Sequence, residues 1–182
     1  MATSKTGSFW LTESVVIPAA GSVATGTIDL GAYVDVGDAQ AVAIESVDFI
    51  WQAHGTVADT YDSYFDGSVV GDAAFDVQLS DINPGGVIVR ADDNSLIASA
   101  ALLIADTDNI VSMGPDLYPD NFGKLDESRM IVNDQLYVVS HSTVALAASQ
   151  ELICTARIKC RIVKLSQKDW MSIAIQSTAS DN

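Results

Sequence analysis

Apolar and polar residues alternate with a period of two through much of the chain, the pattern of strands buried on one face. The alternation is clearest in 151–164, ELICTARIKCRIVK. There Arg157, Lys159 and Arg161 alternate with Ile158, Cys160 and Ile162, so the three cations share one face of a strand. Segment 8–17 (SFWLTESVVI) predicts a first strand, closed by Pro18 and Gly21. Segment 23–30 (VATGTIDL) predicts a second, with Ile28 and Leu30 on one face. In 41–51 (AVAIESVDFIW), Val47, Phe49 and Trp51 share a face, and alternation would put Glu45 with them. The apolar set changes parity after Ile44, which predicts a bulge or bend near Glu45–Ser46. Phe75, Val77 and Leu79 alternate with Asp76 and Gln78, and 87–89 is a short extended piece. Segment 129–140 (RMIVNDQLYVVS) predicts one bulged strand, or two divided near Asn133–Asp134.

Two stretches break the period. Asp92, Asp93, Asn94 and Ser95 precede LIASAALLI (96–104). Short polar acceptors before an Ala/Leu run are a helix start. Such a helix would be apolar nearly all round, hence buried or covered by a neighbouring subunit. A buried strand is the alternative, and the alanine content favours helix. Farther on, Ser166 and Asp169 have capping-box spacing, with Asp in place of Glu. Trp170, Met171, Ile173 and Ala174 then predict the apolar stripe of a short terminal helix. Segments 53–73 and 105–127 read as loops, and 81–86 (DINPGG) as a turn. Residues 1–7 are expected to be a loose arm and 177–182 a frayed tail, flanking one domain over 8–176. About seven to nine short strands without βαβ alternation argue for an all-β sandwich or barrel. The expected fold is a jelly-roll-like antiparallel β-sandwich with one or two short helices.

Composition adds a surface. The 182 residues are 48% hydrophobic with net charge −15, and 20 of the 24 acids are Asp. Asp favours turns over helix interiors, which suits a loop-rich β protein. Abundant Asp with few Lys resembles proteins of salt-loving organisms; the simpler account is an ordinary acidic surface that keeps the protein soluble. The charge opposes binding to nucleic acid, which needs cations to displace phosphate counterions. MATSKTGSFW lacks the apolar run of about 7–15 residues of a secretory signal, and no run approaches the roughly 20 residues of a membrane helix. Cys154 and Cys160 fall six residues apart in one predicted strand, roughly 20 Å at about 3.3 Å per residue. A disulfide needs Cα atoms within about 7 Å, so both are expected to be small buried hydrophobes.

No pattern assigns a catalytic residue, a cofactor site or a metal site. His54 and His141 are the only histidines, and there is no G-x-S-x-G, zinc-ligand spacing or glycine-rich phosphate loop. An enzyme on a cupin-like barrel would need a His/Glu metal cluster, which two distant histidines make poorly. The loop DTYDSYFDG brings Asp59, Asp62 and Asp66 together, and closely spaced carboxylates can hold a hard cation. The EF-hand pattern is not met, because Tyr64 and Ala73 occupy ligand positions. Tyr61, Tyr64 and Phe65 could stack on a sugar, fill a partner's pocket, or pin the loop to its own domain. Tyr61, Asp62, Tyr64 and Asp66 thus form a candidate exposed loop. The function it would serve is that of a carbohydrate- or cation-binding β-sandwich module.

Charge is segregated along the chain. Between Asp59 and Glu127 lie fourteen acids and only two bases, Arg90 and Lys124, whereas 151–176 holds five of the nine basic residues. The basic strand face either meets acidic groups of its own subunit or meets carboxylates of another, or an enclosed anionic interior. Segregation of this kind suits head-to-tail contacts between copies. Candidate subunit contacts are therefore Arg157, Lys159 and Arg161, with Leu96 and Ile97 at the start of the apolar 96–104 segment.

The order RMIVNDQLYVVSHS, a small-residue loop, then ELICTARIKCRIVKLSQKDW resembles the closing strands of single-jelly-roll major capsid proteins of icosahedral tailless viruses. The features that carry it are the basic strand 157–164, the Leu165–Ser166 turn and Trp170; DINPGGVIVRADDNSLIASAALLI also resembles a viral coat segment. The resemblance implies a non-enzymatic subunit, located in the virion, that self-assembles into an icosahedral shell. With the acidic composition, it is similar to coat proteins of membrane-containing viruses of halophilic archaea. The implied partners are the chain itself, a second coat protein, and an internal membrane or lining. Lys5 is the only basic residue in the first 89, unlike the Arg-rich arms of many small capsid proteins. Direct genome packaging and sequence-specific nucleic-acid binding are therefore not expected.

Overall fold

The computed structural model describes residues 2–17, 20–57, 59–61, 69–114, 129–146 and 150–178. Strands are β1 (Thr3–Ser4), β2 (Phe9–Val16), β3 (Val23–Asp29), β4 (Gln40–Gly55), β5 (Thr60–Tyr61), β6 (Ala73–Ser80), β7 (Leu96–Ala105), β8 (Ile110–Gly114), β9 (Arg129–Ile131), β10 (Gln135–Ser142) and β11 (Gln150–Lys164). One helix, α1 (Gln167–Thr178), follows.

The strands form two antiparallel sheets. In the first, β2 pairs with β11, β11 with β4, and β4 with β9; β1 and β5 extend its edges. In the second, the order is β3–β10–β6–β7–β8. Apart from the β6–β7 hairpin, successive long strands exchange between sheets, so that β2–β11–β4–β9 faces β3–β10–β6–β7. This interleaving is the jelly-roll arrangement of a sandwich. Segment 129–140 is divided at Asn133–Asp134, and its halves join opposite sheets as β9 and β10.

The two inner faces make the main core. Val42, Ile44, Val47, Trp51, Cys154 and Ile158 come from the first sheet, and Phe75, Val77, Leu79, Leu102, Leu136 and Val138 from the second. Both cysteines are free and buried, and burial pushes each thiol up to about 12. They remain protonated packing groups.

A smaller cluster lies outside the first sheet. Trp170, Ile173 and Ala174 of α1 cover Ala41, Ala43, Val132 and Val163. The predicted cap is present: Asp169 N donates to Ser166 Oγ at 3.1 Å, and a side-chain hydrogen bond between Ser166 and the Asp169 carboxylate holds that carboxyl below its ordinary value. Trp170 Nε1 donates to Gln40 O at 3.3 Å. Met171 departs from the predicted stripe and is exposed.

Five expectations give way to tertiary context. Segment 96–104 lies within β7, paired with β6 on one side and β8 on the other. Two flanking ladders outweigh the small helix preference of alanine. The polar residues before it form an Asx turn: Asp93 Oδ1 accepts from Ser95 N at 2.8 Å and Ser95 Oγ at 2.7 Å. The stretch 105–127 contains a strand, β8, joined to β7 by the turn 106–109. Residues 87–89 are not a strand; the Gln78 amide brackets Val89, donating to its carbonyl and accepting from its N–H at 2.8 Å each. The expected loose arm is also tied down. Thr3–Ser4 pairs with β11, and Lys5 and Lys164 flank Asp38 at 3.3 and 3.8 Å. The tail expected over 177–182 begins inside α1, and 179–182 lie outside the described residues.

Candidate subunit-contact surface

The outer face of the first sheet carries the basic residues. Even-numbered residues 152–160 of β11 enter the core, so Arg157, Lys159 and Arg161 point outward together. β2 lies on one side of them and β4 on the other. Their immediate ladder neighbours on β2 are Thr12 for Arg157 and Trp10 for Lys159. On β4 they are Asp48, Ser46 and Ala43 respectively.

The predicted bulge decides what these cations meet. Lys159 is opposite Ser46 and Cys160 opposite Ile44, leaving Glu45 as the extra residue. The bulge moves Glu45 off the parity of Val47, Phe49 and Trp51, and its carboxylate lies between two cations on the outer face. It pairs with Arg161 Nη2, stands 3.8 Å from Lys159 Nζ, and accepts from Ser8 Oγ at 2.9 Å. Glu45 is only 6% exposed; a carboxylate that buried requires such partners. Two of the three candidate contact cations thus engage a carboxylate of their own chain.

Arg157 differs. Its guanidinium lies 4.8 Å from the ring centroid of Trp10, within cation–π range. Trp10 is 45% exposed. Among the described residues, no carboxylate is within ion-pair distance of Arg157. Sequence reasoning passed over Trp10, although its parity with Thr12 and Ser14 in SFWLTESVVI marks it as outward.

Leu96 and Ile97 are 1% exposed each and offer no side-chain surface to a neighbour. The strand pairing of β7 puts them inside the chain's own sandwich. The exposed apolar residues of this region are Leu103, Ile110 and Met113. A cleft of about 450 Å³ at the β6–β7–β8 end includes Asp72, Ala73, Ala74, Leu103 and Ile110 in its lining. Asp106 is close by, accepting from Gly71 N at 3.3 Å.

Of the candidate exposed loop, Asp62, Tyr64 and Asp66 lie outside the described residues. Tyr61 is 72% exposed and meets His54 edge-on, with ring centroids 6.2 Å apart. His54 Nδ1 is 3.0 Å from Glu151 and Nε2 is 3.1 Å from Asp59. Carboxylates on both ring nitrogens favour the doubly protonated ring and raise its pKa, Asp59 contributing most. Among the described residues, no group of three or more His, Cys, Asp or Glu side chains is placed to hold a metal ion.

A second nearly buried carboxylate, Asp81, is 4% exposed just beyond β6. Arg129 Nη2 stands 3.7 Å from its Oδ2 and donates to Asn94 O. Asp81 Oδ1 is buried with no hydrogen-bond partner among the described residues. Burial raises this carboxyl to about 6, with Asp93 adding to the shift and Arg129 opposing it. A cavity of about 200 Å³ beside it is lined by Asp81, Arg129 and Gln176, among others.

No protein-family model and no curated protein sequence matches the chain. Solved structures do. The VP1 protein of Merkel cell polyomavirus aligns at 7% identity over 90% of this chain and 99% of that one, with a TM-score of 0.42. VP1 of the Trichodysplasia spinulosa-associated polyomavirus aligns at 11% identity over 89% and 98%, TM-score 0.38. A turnip yellow mosaic virus chain aligns at 11% over 87% and 80%, TM-score 0.33.

Proposed function

We propose that this chain is a structural coat protein that self-assembles into an icosahedral virus shell. The observation that carries the reading is a jelly-roll sandwich with large apolar side chains exposed in two separate places. Trp10, Val16 and Ile50 are exposed on strands of the first sheet, and Leu103, Ile110 and Met113 at the β7–β8 edge of the second. Exposed apolar side chains among polar ones favour protein contacts, and their presence on both sheets favours a lattice over a closed twofold pair. The resemblance of 157–164, Leu165–Ser166 and Trp170 to the closing segment of single-jelly-roll coat proteins supports the same reading. Those residues form the last strand, the turn and the cap-stabilised helix.

In this reading the subunit works by shape and contact, not by catalysis. The virion shell is its location, and a second coat protein and an internal membrane or lining are its further partners. The abundance of Asp suits a shell that stays hydrated at high salt. Electron microscopy and light scattering of the purified chain across salt concentration test the proposal. Regular particles or capsomers support it; a strict monomer at every salt concentration overturns it.

A further inference from the structure

We propose that the Trp10–Arg157 pair of one copy docks into the β6–β7–β8 cleft of a second copy, with Arg157 meeting Asp72. The inference rests on the coat reading above and names the contact that reading requires.

Trp10 is a large, half-exposed aromatic on the outer face of a sheet whose neighbouring ladder positions are polar. Arg157 covers its ring and holds it in place. Aromatic and Arg side chains of this kind dominate the energetics of protein contacts. Arg157 is also the member of the basic face that Glu45 does not engage.

The cleft offers the complementary chemistry. Ala73 and Ala74 supply short side chains, Leu103 and Ile110 supply exposed apolar surface, and Asp72 is the charged residue in the lining. Asp106 and Asp108, in the turn between β7 and β8, add negative charge close by. Within the described chain, no cation is in ion-pair range of Asp72. A cationic aromatic anchor therefore fits this cleft in both surface and sign.

The two features lie on different sheets, so one copy's anchor cannot meet the same copy's cleft and partner reciprocally by a single patch. The contact is heterologous, and its repetition closes a ring such as a capsomer, or runs on as an open filament where the rotation does not close. Reversing a buried interfacial charge costs about tenfold or more in association.

The test uses the full chain under conditions where the wild type assembles, with circular dichroism to confirm folding. Arg157→Glu and Asp72→Arg are each expected to weaken association about tenfold or more. Combining them restores it, because the pair is then reversed as a unit. Trp10→Ala weakens association with the fold intact. Wild-type association in either single variant, or no recovery in the combined variant, overturns this contact while the coat reading stands. A wild type that never associates overturns the coat reading and this contact with it.

Discussion

Glu45 and Asp81 are nearly equally buried carboxylates in very different surroundings. Glu45 sits at a bulge between Arg161 and Lys159 and also accepts from Ser8. Each has one buried oxygen that makes no hydrogen bond among the described residues, but Asp81 has a single cation near it, Arg129 at 3.7 Å. The difference is that burial of charge is tolerated in proportion to what surrounds it. A β-bulge in the middle of a sheet brings cations from the adjacent strand to the carboxylate. A corner between β6 and β9 supplies one cation at longer range, and the carboxyl answers by holding its proton more tightly.

The sharpest break in this comparison is Glu45→Ala. It leaves Arg161 half-buried without its carboxylate and is expected to cost about 2–4 kcal/mol, less than for a fully buried pair because Arg161 and Lys159 retain some solvent. Urea unfolding measures it; a loss below about 0.5 kcal/mol would show that solvent already compensates these cations.

Asp81→Asn is expected to have the opposite sign. Burial raises the folded carboxyl to about 6 from an ordinary 3.8, so the folded state binds the proton more tightly than the unfolded chain. Stability therefore rises as pH falls from about 6 toward 3.8, and above 6 the charged Asp81 is a cost. Asp81→Asn should stabilise the protein by about 1–2 kcal/mol at pH 7.5 and remove this rise. Urea midpoints across that pH range decide it, and a destabilised variant with an unchanged pH profile contradicts the burial account.

His54 is a half-buried counterpart, with carboxylates on both nitrogens. Its raised pKa means its contribution is fully present below about 6.5 and is lost as pH rises through the folded value. His54→Gln should remove that alkaline loss with only a small change in midpoint. A nuclear magnetic resonance titration of His54 at or below the ordinary histidine value would refute the paired geometry.

The smallest effect is expected when both members of the better pair go together. Replacing Glu45 and Arg161 by leucine and methionine should recover most of the stability lost in Glu45→Ala, because apolar packing substitutes well for a buried ion pair. A double variant as unstable as the single one would point to Lys159 and Ser8 as the stronger partners.

Most of the strands were legible, and the reason is local. Where one face is buried and the other wet, as in β2, β6 and β11, the period of two is written in the side chains. The bulge at Glu45 was legible for the same reason, since an inserted residue reverses parity. β7 was not, because its first four residues, 96–99, are buried on both faces, which erases the alternation and leaves an Ala/Leu run that matches a helix. β1 and β8 were missed because short edge strands are held by backbone hydrogen bonds that side-chain pattern does not record. Of the candidate contacts, the outward basic face was legible, but Leu96 and Ile97 were inferred from the helix that did not form.

By itself, then, the sequence determined an all-β chain, its acidic surface, a capped terminal helix and a strand with three cations on one side. Those properties follow from residue spacing and composition, which are local. Tertiary structure decided that Glu45 takes up Arg161 and Lys159, that Arg157 instead rests on Trp10, and that Leu96 and Ile97 are interior. Those outcomes depend on which strands become neighbours, and around the basic face those neighbours are separated by more than a hundred residues, as Glu45 and Arg161 are.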